Sequence, residues 1–161
     1  MEKYYMHLNG DSVESVSGET IEVINPFDGK AFAVVPKGGK EDAKKAVDAA
    51  HKAFGTWSGT TAYERSELLM KWVQLIEENA ESIGRIMTME QGKPLKEAIG
   101  EIKYASNFLS WYAEEGKRIY GETIPSSSSN KRIIVKKQPV GVVAAITPWN
   151  FPAAMITRKV G

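Results

Sequence analysis

The 161 residues contain no cysteine. A disulfide, a thiolate metal site and a cysteine nucleophile are therefore excluded within this chain. Histidine is almost as scarce: His7 and His51 are the only imidazoles, too few for a tetrahedral zinc site. Excess charge of either sign is also missing. Twenty-one basic and 20 acidic residues leave +1, which provides no electrostatic footprint for nucleic acid or an anionic membrane. The longest apolar run, Val140 to Ile146, is interrupted by Gly141 and falls far short of the roughly 20 residues of a bilayer-spanning helix. Met1-Glu2-Lys3-Tyr4-Tyr5 lacks an apolar stretch of signal-peptide length. The expectation is a soluble, cytoplasmic protein with no nucleic-acid or membrane partner. What is present, 42% hydrophobic and 25% charged residues, is the composition of an ordinary folded domain.

The chain up to Pro36 reads as β structure. Asn9-Gly10 lies between Met6-His7-Leu8 and Val13, and both positions tolerate the positive φ of a two-residue hairpin turn. Thr20 to Ile24 alternates like a half-exposed strand that stops at Asn25-Pro26. Asp28-Gly29 then turns the chain into a strand from Ala31 to Val35.

Three helices are predicted next. Glu41 to Phe54 places Ala43, Ala46, Val47, Ala50 and Phe54 on one face. Thr61 and Glu64 have the spacing of a capping box and open the second helix. Its stripe of Leu68, Leu69, Trp72, Val73 and Ile76 continues through Ala80, Ile83, Ile86 and Met87 to Gly92. Pro94 opens the third, which turns Leu95, Ile99, Ile102, Ala105, Leu109 and Tyr112 inward and ends at Gly116 or Gly121.

Ser126 to Asn130 is a loop by composition, followed by a strand from Arg132 to Lys136. Val140 to Ile146 is apolar at nearly every position, which predicts a parallel strand buried on both faces. Beyond Pro152, Ala153 to Val160 reads as a new helix, with nothing in the chain expected to cover its apolar face. A strand buried on both faces needs helices above and below it and parallel neighbours beside it. The expectation is therefore the front of a longer α/β protein, the alternative being a complete small domain with a frayed last turn.

In open α/β sheets, ligands bind beyond the carboxyl ends of strands, where helix N-termini offer N–H donors. Trp149 and Asn150 hold that place, between Pro148 and Pro152. Asn150 can present its side-chain N–H groups to an oxygen that gains charge during reaction. It reads equally as a helix N-cap with Trp149 as a packing residue, and on physics alone that is the simpler reading. Other features read as structural. Lys131, Arg132, Lys136 and Lys137 flank a strand without aromatic neighbours for base stacking. Glu77-Glu78 and Glu114-Glu115 are solvated faces, Tyr104, Phe108, Trp111 and Tyr112 a packing stripe, and His51 an exposed helix residue.

Gln138-Pro139-Val140-Gly141-Val142-Val143 followed by Ile146-Thr147-Pro148-Trp149-Asn150-Phe151-Pro152 resembles the signature of the NAD(P)-dependent aldehyde dehydrogenases. Ile24 to Lys30 is similar to the family's early strand turn. Phe54, Trp57, Arg65 and Leu68-Leu69 are similar to its first helices. Glu90-Gln91-Gly92-Lys93-Pro94, with Glu97, Ala98 and Glu101, is similar to its next helix start. These segments occur in the family's order and cover the whole chain, about the first third of a family member. Met155-Ile156-Thr157-Arg158-Lys159 is similar to the succinate-semialdehyde dehydrogenases.

The resemblance implies an α/β fold, the N-terminal part of an aldehyde dehydrogenase-like architecture. Residues 1–121 would start a Rossmann-like cofactor domain, 122–139 would form part of an oligomerisation β-sheet, and 140–161 would return to the cofactor domain. It implies Asn150 as the oxyanion donor and Ile146, Thr147, Pro148, Trp149, Asn150 and Arg158 as cofactor-binding residues for NAD or NADP. Arg158 would also hold the carboxylate of succinate semialdehyde, a role that suits a bidentate guanidinium. The implied assembly is a homo-oligomer. The family's cysteine nucleophile, base glutamate and glycine-rich turn are not among these residues, so the chain alone is expected to be inactive. The same residues also admit a non-catalytic dimerisation or scaffold module, or a dicarboxylate- or nucleotide-binding fragment.

Overall fold

The structure is a computed structural model and describes residues 1–161. Five short strands come first: β1 (Glu2–Lys3), β2 (Met6–Leu8), β3 (Asp11–Val13), β4 (Thr20–Ile24) and β5 (Ala31–Pro36). Asn9 and Gly10 take φ of 54° and 92° and join β2 to β3 in the expected hairpin. β5 is the middle of a separate sheet, parallel to β1 and antiparallel to β4. β1 has no signal of its own in the sequence; pairing with β5 creates it.

The next helix, α1 (Lys40–Trp57), is tied to the strands at its first turn. The Asp42 carboxylate accepts from the N–H of Gly39 at 2.8 Å and of Val16 at 3.0 Å. Those two backbone donors favour the charged form and hold its carboxyl below the usual range. No residue of α1 is buried, so the predicted stripe of Ala43, Ala46, Val47 and Ala50 faces solvent.

The second predicted helix is two. Between α2 (Ala62–Glu78) and α3 (Ala80–Gln91), Asn79 leaves helical geometry with ψ of 10°. Its side-chain amide donates to the Leu75 carbonyl at 2.8 Å, and its own carbonyl accepts from the Ser82 hydroxyl at 2.9 Å. Such local side-chain bonds compete with the helical ladder, and the apolar stripe does not reveal them. The capping box at the start of α2 forms as expected: Thr61 Oγ1 accepts from Glu64 N–H at 3.2 Å, and the Glu64 carboxylate accepts from Thr61 N–H at 2.7 Å.

The buried core centres on α4 (Leu95–Glu115), whose Ala98, Ile102, Ala105, Leu109 and Ala113 are buried. Ala80, Met87, Ala98 and Ile102 form one cluster, with Ile76, Ile83 and Ala153 packed against it. α4 ends at Gly116, the first of the two expected stops, in a short 3₁₀ turn to Arg118. The aromatic stripe is mostly outside this core: Tyr104 and Phe108 meet edge-on at 4.9 Å, and Trp111 is exposed. A two-stranded antiparallel ribbon of β6 (Glu122–Ile124) and β7 (Ile133–Val135) follows.

Two expectations about the last part of the chain need correction. Val140 to Ile146 forms no strand, and Val140 and Ile146 are 92% and 86% exposed. A segment becomes a strand only beside a hydrogen-bonding neighbour, and no backbone hydrogen bond joins this one to another part of the 161 residues. By contrast α5 (Pro152–Val160), expected to lie uncovered, packs on α4 and buries Ala154 and Thr157. Only 16 of the 161 residues are buried, so much apolar surface outside the α2–α5 packing remains in solvent. No helix is long and apolar enough to cross a membrane.

Candidate functional site

Segments far apart in sequence converge on the loop that precedes α5. α3 ends at Gly92, whose φ of 72° needs a residue without a β-carbon; a Cβ there would lie 3.0 Å from Pro26 Cγ. The Asn25-Pro26 turn thus sits against the end of α3. It is shaped by the Asn25 side chain, which accepts from Phe27 N–H at 3.0 Å, and by Gly29 at φ 69°. A cleft of about 500 Å³ lies where these meet the loop, lined by Pro26, Glu90, Gln91, Lys93, Trp149 and Asn150. A second cleft of about 340 Å³ is bounded by Asn150, Phe151, Lys93, Glu97 and Tyr104. Asn150 borders both.

The loop backbone is held at successive points. Gln91 Nε2 donates to the Trp149 carbonyl. Lys93 Nζ donates to the Asn150 carbonyl at 3.4 Å and lies 4.7 Å from the centre of the Phe151 ring. The Glu101 carboxylate accepts from the N–H groups of Ala153 at 3.1 Å and Ala154 at 3.5 Å, and pairs with Lys93. Those N–H groups belong to the first turn of α5 and have no intrahelical acceptor. A carboxylate there also meets the positive end of the helix dipole.

Ile146, Pro148, Trp149 and Asn150 are exposed and Thr147 is half-buried, as one continuous strip leading into α5. Asn150 does not cap the helix: the residue before α5 is Phe151, which makes no side-chain cap bond. Arg158 stands apart, about 9 Å along α5 from Pro152 at roughly 1.5 Å per residue. Its guanidinium donates to the Tyr104 hydroxyl at 3.0 Å and lies 4.5 Å over the Phe108 ring.

Sequence reasoning passed over Gln91, Lys93 and Glu101 as parts of a site. A signal existed for Glu101: it adjoins Ile102 on the inward face of α4, where an ionised side chain is buried only with partners. The partners themselves are not readable, because they come from the end of α3 and from α5, which the fold alone brings together.

Residues 13–161 match the profile of the aldehyde dehydrogenase family. The chain belongs to that family. This aldehyde dehydrogenase chain is 54% identical over 154 residues to the NADP-dependent succinate-semialdehyde dehydrogenase of Escherichia coli K12, covering 96% of itself and 32% of that protein. It is also 54% identical over 155 residues to the glutarate-semialdehyde dehydrogenase of Pseudomonas putida KT2440, again covering 96% of itself and 32% of the relative. Among solved structures, an NADP-dependent enzyme of E. coli superposes with a TM-score of 0.95 at 52% identity, over 98% of this chain and 33% of that one. The aldehyde dehydrogenase chain thus spans about a third of the length of the curated relatives it matches. Ile146 and Trp149 present exposed apolar surface that could lie against a flat ring, with the exposed Asn150 as a polar end beside them.

Proposed function

We propose that this chain supplies the oxyanion-donating wall of an NAD(P)-dependent aldehyde dehydrogenase that oxidises succinate semialdehyde to succinate. The carrying observation is Asn150, exposed between two clefts, with a backbone anchored by other residues and no capping role for its side chain. A carboxamide carried on a backbone anchored in this way donates N–H to the aldehyde oxygen as that oxygen gains charge under nucleophilic attack. A preorganised donor aimed at developing charge lowers the barrier without reorganising at the moment of reaction. The nucleophile is a thiolate in this family, and the 161 residues contain no cysteine, so the attack is made by a residue outside them.

Ile146, Thr147, Pro148 and Trp149 line the wall against which the cofactor is held. The nicotinamide cofactor, NAD or NADP, accepts hydride in this chemistry. Arg158 binds the substrate carboxylate and borders the cofactor. Residues 1–121 and 140–161 belong to the cofactor domain, and 122–139, which contain the β6–β7 ribbon, to an oligomerisation sheet of a homo-oligomer. The names of the E. coli and P. putida relatives support an aldehyde that carries a second, acidic end.

The test has two parts. The 161-residue chain, given succinate semialdehyde with NAD or NADP, produces no reduced-cofactor absorbance above the buffer rate. Joined in frame to the remaining two thirds of the E. coli relative, it turns over. In that spliced enzyme Asn150→Ala lowers kcat by about 10²–10³-fold with little change in aldehyde KM. An undiminished kcat rejects the oxyanion role.

A further inference from the structure

We infer that Lys93 and Glu101, with Gln91, are positioning residues for Asn150. The inference rests on the oxyanion reading and extends it to residues that act through the backbone of the Asn150 loop. The Glu101 side chain is only 2% exposed, and that of Lys93 only 18%. Removing a carboxylate from water is costly unless charge and hydrogen bonds replace the lost hydration. Both replacements come from around the loop: the Lys93 ammonium, and the first-turn N–H groups of Ala153 and Ala154. The ion pair is thus built into the anchorage of this loop.

The arrangement brackets Asn150 on both sides. Upstream, Gln91 holds the Trp149 carbonyl. At the residue itself, Lys93 holds the carbonyl. Downstream, Glu101 holds the start of α5, and Ala153 packs on the Ala80–Met87–Ala98–Ile102 cluster. Pro148 and Pro152 restrict the backbone between these anchors. Anchorage on both sides of Asn150 suits a donor that must meet a developing charge to within a fraction of an ångström. Anchors made to α3, α4 and the turn between them, rather than within the loop, place the Asn150 backbone relative to the rigid helical core.

Glu101→Gln is the primary variant. The double variant Lys93→Met/Glu101→Gln removes both charges, so neither is left buried and unpaired if a single change fails to fold; Gln91→Ala tests the upstream anchor. In the 161-residue chain, amide hydrogen exchange is read residue by residue. The expected result is a loss of protection at Ala153 and Ala154 at least about tenfold greater than in α2, because local opening precedes global unfolding. Equal loss at all amides, as for a general stabiliser, overturns the inference. In the spliced enzyme, Glu101→Gln lowers kcat about tenfold or more while aldehyde KM stays within about twofold, the pattern of a contribution made only in the transition state. An unchanged kcat, where Asn150→Ala is impaired, overturns it as well. If Asn150→Ala is itself fully active, the oxyanion reading falls with the inferred purpose of the clamp; local loss of exchange protection would then show the clamp alone.

Discussion

Arg158 donates to the Tyr104 hydroxyl at 3.0 Å, across 54 residues of sequence, and its guanidinium lies over the Phe108 ring. The proposed carboxylate ligand is therefore held on α4, and the stripe that reads as packing is partly an orienting surface for it. One terminal nitrogen is engaged by Tyr104, and the guanidinium keeps further N–H donors for a bidentate carboxylate. In the spliced enzyme, Arg158→Leu is expected to raise KM for succinate semialdehyde by about 10–100-fold, from about 1.5–3 kcal/mol for a charged hydrogen bond. An uncharged aldehyde of equal length should change little. Equal effects on both substrates would remove Arg158 from carboxylate recognition.

Gly84 is a packing requirement. A Cβ at this buried position in α3 would lie 2.8 Å from Ile99 Cγ1 and 3.2 Å from the Ile99 backbone nitrogen. Gly84→Ala should raise helix propensity yet destabilise the chain by about 1–3 kcal/mol through overpacking against α4. Denaturant unfolding measures the balance; a more stable variant would mean that the two helices separate without cost.

The acid limb of stability should depend on two helix starts. Backbone N–H groups of Gly39 and Val16 hold the Asp42 carboxyl below its ordinary range, and the N–H and hydroxyl of Thr61 do the same for Glu64. A carboxyl lowered in the folded state binds its proton more readily when unfolded. Its stabilisation is therefore present above the ordinary carboxylate range and is lost as pH falls through the lowered folded value. Asp42→Asn/Glu64→Gln should flatten the acid side of a thermal-stability profile and leave its shape near neutral pH. An unaltered acid limb would assign it to other groups.

The segment from Val140 to Ile146 should make the isolated chain associate. Val140, Val143 and Ile146 are among the most exposed apolar side chains, and an exposed apolar segment whose backbone groups have no partner is a template for association. Val143→Lys/Ile146→Lys is expected to shift the chain toward monomer in size-exclusion chromatography with light scattering. If the distribution does not move, association originates elsewhere, for example at the exposed Ile134 of β7.

Local chemistry was the legible part of the fold. The Asn9-Gly10 hairpin, the Thr61–Glu64 capping box and the strands around Asn25 to Lys30 each follow from a few adjacent residues, while the end of α4 was narrowed only to Gly116 or Gly121. Asn79 was not legible, because its interruption depends on a side chain turning back onto Leu75 within an unbroken apolar stripe. The Asn150 motif was legible as a pattern, whereas its anchors were not.

By itself the sequence determined the absence of a thiol, the short-range turns and caps, the amphipathic helices and the family resemblance of the Pro148–Pro152 loop. All of these depend on residue identity or on spacings of a few positions. Only the tertiary structure decided that Val140 to Ile146 stays unpaired, that α4 covers α5, and that Glu101 and Lys93 lie beneath the Asn150 loop. Those outcomes depend on which distant segments meet. A buried carboxylate, an orphaned helix N–H or an extended apolar run acquires its meaning only from the neighbour that satisfies it or from the lack of one.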